Sequence, residues 1–111
     1  MSDLTLDVKE ESGVAVLHVI GSVDLTTAPA LRGRLLDLIA DGHTCIVTDL
    51  SETDFLDSTG LGALVGALKR LRTRDGEMRL VCAEGQVRKA FAITRLDRVF
   101  PIHDTLDAAL G

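Results

Sequence analysis

Aromatic side chains are nearly missing from this chain. Three phenylalanines, Phe55, Phe91 and Phe100, stand among 111 residues, with no tryptophan and no tyrosine. Without flat rings there is no stacking platform of the kind that single-stranded nucleic-acid binders use. Positive charge is also in deficit: 12 Lys and Arg against 17 Asp and Glu give a formal net charge of −5. A general nucleic-acid binder needs a basic face, so direct nucleic-acid contact is not expected. There are only two cysteines, Cys45 and Cys82, far apart and each inside an apolar run. A small disulfide scaffold would be denser in cysteine, so these read as two buried free thiols on strands. No apolar run is long enough to span a membrane. The start, Met1-Ser2-Asp3-Leu4-Thr5, carries neither the basic region nor the apolar segment of a signal peptide. The expectation is a cytoplasmic protein with no membrane partner.

What is present is aliphatic. Hydrophobic residues make up 46% of the chain. A chain this long buries roughly two-thirds of its unfolded surface, enough for one core without staples. One domain is expected over residues 1–111, with no repeat and no linker.

The pattern along the chain alternates strands and helices. Leu4-Thr5-Leu6-Asp7-Val8-Lys9 has the period of a half-buried strand, and Val14 to Ile20 that of a more apolar one. The short break at 10–13 makes them an antiparallel hairpin. A helix follows, with Thr26 or Thr27 able to cap it and Pro29 suited to its first turn. Leu31, Leu35, Leu38 and Ile39 form its apolar stripe. Cys45 to Leu50 reads as a buried strand and Ser51 to Asp57 as a polar connection. A second helix carries Leu61, Leu64, Val65, Leu68 and Leu71, with Lys69, Arg70, Arg72 and Arg74 at its C-terminal end. Met78 to Cys82 is a further strand, and Val87, Ala90 and Phe91 mark a short third helix. Val99 to Ile102 is a last extended piece, placed at an edge by Pro101. Asp104 is positioned to cap a final helix. The order β-β-α-β-α-β-α-β-α predicts an α/β fold with a mixed, mostly parallel sheet covered by helices.

Chemistry is concentrated at Asp54-Phe55-Leu56-Asp57-Ser58-Thr59-Gly60-Leu61-Gly62. Ser58 stands where the second helix begins, and a plain N-cap is one reading of it. Three features favour a functional one. Two hydroxyls are adjacent. Two glycines sit in the first turn, where each is a poor helix former and lets another molecule approach the backbone. A helix N-terminus also accommodates phosphate. The spot therefore suits a bound anion or a covalently phosphorylated hydroxyl.

Other constellations are weaker. Gly60-x-Gly62-x-x-x-Gly66 departs from the dinucleotide fingerprint, and several residues separate it from the strand end near Leu50. Asp24, Asp49, Asp54 and Asp57 can gather at the strand ends, but as a receiver-like site they lack a lysine after the last strand, and as loop caps they need no metal. His18, His43 and His103 are isolated. No nucleophile has an evident partner base, so neither an enzyme, nor a resident metal, nor a cofactor is expected.

The stretch Asp54 to Gly62 closely resembles the signature of STAS domains of the anti-anti-sigma factor type. Gly21-Ser22-Val23-Asp24-Leu25-Thr26-Thr27-Ala28 resembles the first loop of that family, with Ser22 replacing a commonly acidic residue. Residues 87–94 and 96–102 resemble its C-terminal third. The resemblance implies an anti-sigma factor antagonist that works by partner switching. Unphosphorylated, it would bind an anti-sigma factor that is also an ATP-dependent serine kinase, and so release a sigma factor. Phosphorylation would end that binding, and a metal-dependent serine phosphatase would restore it. By motif position Ser58 would be the phosphoacceptor, Asp24 and Asp57 would frame it, and Thr59, Gly60 and Leu61 would meet the kinase. Ser22 and Thr26 of the first loop would join the partner surface. A STAS module of another assembly, such as a stress-signalling complex or lipid-transport system, and a small nucleotide-binding protein are the alternatives.

Overall fold

Alternating hydropathy builds the first strand, β1 (Leu4–Glu11), whose Leu4, Leu6 and Val8 turn toward the core while Thr5, Asp7 and Lys9 face water. The computed structural model describes residues 3–111. Ser12 and Gly13 both adopt positive φ, 54° and 78°, and close a two-residue hairpin into β2 (Val14–Val23). Two left-handed residues match the twist of the flanking strands, which is why glycine is suited here. Then come α1 (Ala28–Ala40), β3 (Cys45–Asp49), β4 (Thr53–Leu56), α2 (Ser58–Arg72) and β5 (Glu77–Val81). The chain ends with α3 (Gln86–Ile93), a 3₁₀ turn (Leu96–Arg98), β6 (Ile102–His103) and α4 (Leu106–Leu110).

The main sheet runs in the order β1-β2-β3-β5-β6, with β4 added beside the end of β2. Among the described residues only β1 pairs antiparallel; every other pairing is parallel. The expected mixed, mostly parallel α/β sheet is therefore what forms, and β6, behind Pro101, lies at its edge.

Burial on β2 alternates by face. Ala15, Leu17 and Val19 join α1, α2 and α3 in the large core, whereas Val16 joins Val47, Val81 and Ala109 in a small cluster under α4. Leu31, Leu35, Leu38 and Ile39 on α1, and Leu61, Leu64, Leu68 and Leu71 on α2, are buried as their spacing predicts. Two of the three aromatic rings close the far end: Phe91 and Phe100 meet edge to face, centroids 6.2 Å apart. Both cysteines are free thiols, Cys82 buried and Cys45 half-buried at the start of β3, and burial pushes the pKa of each up.

Three local expectations are corrected. Residues 53–56 are a strand, not a connection: Thr53 and Leu56 point inward, Asp54 and Phe55 outward. Four residues are too few to show a period, and the strand exists because β2 supplies a partner. Asp104 does not cap α4; Thr105 does, accepting from the Ala108 N–H at 3.1 Å, while Asp104 pairs with Arg88. The hydroxyls of Thr26 and Thr27 do not cap α1. Thr27 occupies the cap position, but its hydroxyl turns back to the Ser22 carbonyl at 2.9 Å.

One core polar group is left over. Thr48 is fully buried, and its hydroxyl has no hydrogen-bond partner among the described residues. An unpaired buried hydroxyl costs about 1–3 kcal/mol. Thr48→Val, nearly isosteric, is expected to raise unfolding stability by about 1 kcal/mol, read as a higher urea midpoint at unchanged slope.

Candidate functional site

The site is built where two loops leave the C-terminal ends of neighbouring strands. β2 reaches its end through an irregularity between Gly21 and Ser22. Gly21 has φ of 112°, and a side chain there would place a Cβ 2.2 Å from the Asp3 carbonyl oxygen. Only glycine fits. Past it, Ser22 and Val23 pair with Phe55 and Leu56 of β4. The buried Thr53 hydroxyl donates to the Val19 carbonyl at 2.7 Å and locks β4 onto β2. At the strand exits, the Asp57 N–H donates to the Val23 carbonyl at 3.2 Å. The first loop and the start of α2 are thereby held side by side.

Each loop is organised by one carboxylate. Asp24 Oδ1 accepts from the Thr26 N–H (2.9 Å), the Thr26 hydroxyl (2.7 Å) and the Thr27 N–H (3.2 Å). Asp57 Oδ1 accepts from the N–H groups of Thr59 (2.9 Å) and Gly60 (3.3 Å) and from the Thr59 hydroxyl. The Thr59 hydroxyl bond does most to hold the Asp57 carboxyl below its ordinary value, and the two N–H bonds add to it. Partial desolvation and the neighbouring Asp24 charge oppose them.

Asp57, not Ser58, is therefore the N-cap of α2. Ser58 is the first helical residue. It is exposed, and its hydroxyl makes no hydrogen bond within the described residues. The N-cap reading of Ser58 is set aside on this geometry. The amide cradle for an anion is also modified: the N–H groups of Thr59 and Gly60 are taken by Asp57, and that of Leu61 by the Asp57 carbonyl. A phosphate on Ser58 would not be swaddled by the helix end. It would stand out into solvent among carboxylates.

The structure brings together Ser22, Asp24, Thr26, Asp57, Ser58 and Thr59. Ser22 donates to Asp54 at 2.7 Å, so a third carboxylate is tied to the same rim. Asp49 is elsewhere in role: it is buried and pairs with His18 Nδ1 at 3.0 Å. Gly60 and Leu61 do not lie on the surface. A Cβ on Gly60 would fall 2.4 Å from Leu56 Cδ1 and 2.8 Å from Val23 Cγ1. That glycine serves the close seating of α2, not the approach of another molecule, and Leu61 packs in the core. Gly62 is the open one, with nothing within 4 Å of an added Cβ.

Sequence reasoning missed Leu25. It is 74% exposed and lips a hollow of about 360 Å³ with Pro29, Arg32, Thr59, Gly62 and Ala63. A leucine breaking a run of small polar residues between Asp24 and Thr26 was the available signal. The crevice at the ends of β3 and β5, about 300 Å³, includes Asp54 and Glu84 and no basic side chain. It suits a polyphosphate poorly, which weighs against a nucleotide site there.

The family model of the STAS domain matches residues 5–109. The chain is 34% identical to the anti-sigma-F factor antagonist RsfB of Mycobacterium tuberculosis, over 96% of this chain and 87% of that one. It is 29% identical to an anti-sigma-B factor antagonist of Bacillus subtilis, over 90% and 91%. A crystal structure of an anti-sigma factor antagonist from Mycobacterium paratuberculosis superimposes with a TM-score of 0.90, at 36% identity, covering 97% of this chain and 92% of that one.

Two substitutions test the local construction. Asp57→Ala should cost about 1 kcal/mol at neutral pH through loss of the cap. Because the folded carboxyl titrates below its ordinary value, its contribution is present above that ordinary value and is lost as pH falls through the folded one. The difference between wild type and Asp57→Ala should thus shrink in urea melts taken below pH 4. Gly60→Ala should lower stability by about 1–3 kcal/mol, despite alanine being the better helix former, because the methyl is overpacked.

Proposed function

The chain belongs to the STAS domain family, in the group of anti-sigma factor antagonists, and we propose that it works as a phosphorylation-controlled partner switch. In its unphosphorylated form it binds an anti-sigma factor that is an ATP-dependent serine kinase, and this frees a sigma factor. The kinase phosphorylates Ser58 and the complex parts; a serine phosphatase resets it. The chain itself is a substrate and binding module, not a catalyst, and it acts in the cytoplasm, where transcription is controlled. None of the helices of the described residues is long and apolar enough to cross a membrane.

The observation that carries this is the state of Ser58. It is exposed at the first position of α2, its hydroxyl is unused, and Asp57 does the capping that would otherwise occupy it. Phosphorylation adds about −1.5 to −2 charges at neutral pH. Here they land on a rim that already holds Asp24, Asp54 and Asp57. Because the cap and the strand pairing do not use the Ser58 hydroxyl, the fold survives. What fails is docking: a surface fitted to a neutral hydroxyl would have to bury an unpaired charge. The names of the relatives support the class of partner, and Thr26, Thr59 and the exposed Leu25 are the contacts next to Ser58. Ser22, bonded to Asp54, sets the charge of the rim from one side.

Mixing the purified protein with the anti-sigma factor kinases of its own genome and ATP tests the proposal. Intact-mass and peptide mass spectrometry should find one phosphate, on Ser58. Ser58→Ala should stay bound with ATP present and remain unmodified. Ser58→Asp should bind at least about a hundredfold more weakly, some 2.7 kcal/mol, with an unchanged far-UV dichroism spectrum. Wild-type phosphorylation of Ser58→Ala would refute the acceptor assignment.

A further inference from the structure

We infer that the groove between α1 and α2 is a second half of the docking surface and takes an acidic segment of the partner protein; this rests on the partner-switching function above. Charge in this chain is sorted by element. α1 and α2 carry five cations, Arg32, Arg34, Lys69, Arg70 and Arg72, and one acid, Asp37, a net of +4 in a chain whose total is −5, so the remainder carries −9. Three of the five converge. Arg32 from α1 and Lys69 and Arg70 from α2 line a hollow of about 310 Å³ with Leu36, Gly66 and Thr73. None of the three has an ion pair or a side-chain hydrogen bond among the described residues. Gly66 leaves the floor open, since an added Cβ there would meet nothing within 4 Å.

This hollow continues into the one beside Ser58, because Arg32 lines both. The groove thus runs from an apolar lip at Leu25, Pro29 and Ala63 to a basic end. Along α2 the exposed residues Ser58, Gly62, Gly66, Lys69 and Thr73 follow at helical spacing. The docking face is bipolar: carboxylates surround Ser58, and unpaired cations stand at the other end. A partner must present cations to the first and carboxylates to the second. The reversed orientation sets like charges against each other, so the two poles fix the register. A polyanion such as a nucleic acid or an anionic lipid surface fits poorly, because the −9 carried elsewhere repels it; a short acidic protein segment engages the three cations alone.

The test uses the anti-sigma factor kinase that phosphorylates the wild-type protein. The triple variant Arg32→Glu, Lys69→Glu, Arg70→Glu changes only exposed side chains with no ion pair among the described residues; its far-UV dichroism spectrum should match the wild type, while the loss of two cations from the last turn of α2 lowers its urea midpoint slightly. Stopped-flow association should slow by about tenfold or more at low salt and lose most of its salt dependence. A photo-crosslinker at Thr73 should capture a segment of the kinase rich in Asp and Glu. Wild-type association kinetics in the triple variant would overturn the proposal, as would a crosslink to a basic or uncharged segment. So would saturation of the three cations by inorganic phosphate or ATP alone, which would make the groove a small-anion site. If the groove variants behave like wild type while Ser58→Ala and Ser58→Asp still discriminate, only the groove assignment falls. If the Ser58 variants fail to discriminate, the switch itself falls and takes this proposal with it.

Discussion

The parallel pairing of β4 with the end of β2 is the interaction on which the rest of the site depends. It is short, only Gly21, Ser22 and Val23 against Thr53, Phe55 and Leu56. It is secured from inside by the buried Thr53 hydroxyl on the Val19 carbonyl and from outside by the Asp57 N–H on the Val23 carbonyl. The pairing decides where α2 begins, and so where Ser58 stands relative to Asp24. Two glycines make it possible: Gly21 lets the strand pass the Asp3 carbonyl, and Gly60 lets α2 settle onto Leu56 and Val23. A cavity or strain at Thr53, Leu56 or Val23 would move the site without changing any residue in it.

Within that frame the two carboxylates have separate tasks from the serine. Asp24 and Asp57 each close their own loop by accepting from backbone amides and threonine hydroxyls. Ser58 is left with no structural duty. On the proposed switch, this division would let a charge be added and removed at one position while the helix start stays intact. A phosphate there would then act through electrostatics at the surface rather than through refolding, since the Thr59 and Gly60 amides are already engaged by Asp57. The bulk charge of −5 therefore explains little. Its distribution, negative around Ser58 and positive along α1 and α2, is the quantity a partner meets.

Much of this was legible in the sequence. The stripes of α1 and α2 are long enough for a 3.6-residue period to show, and every leucine assigned to them is buried. The β1–β2 hairpin followed from alternation and the short break at 10–13, which the structure narrows to a two-residue turn. The cluster around Ser58 stood out because hydroxyls and glycines at a helix start need a reason. Two of the misplacements share one cause. Thr105 rather than Asp104, and Asp57 rather than Ser58, are shifts of one residue in cap position, which local composition does not resolve because Ser, Thr and Asp all cap well.

Composition and periodicity by themselves determined the fold class, the faces of the helices and the neighbourhood in which chemistry had to lie, because each of these depends on residues close in the chain. Tertiary structure alone decided that residues 53–56 form a strand, that Gly60 is a packing residue while Gly62 is open, and that Asp57 caps α2 while the Ser58 hydroxyl is exposed and unbonded among the described residues. It alone also set Arg32, Lys69 and Arg70 around one hollow. These outcomes rest on contacts between segments far apart in sequence, and no local pattern encodes the distance between them.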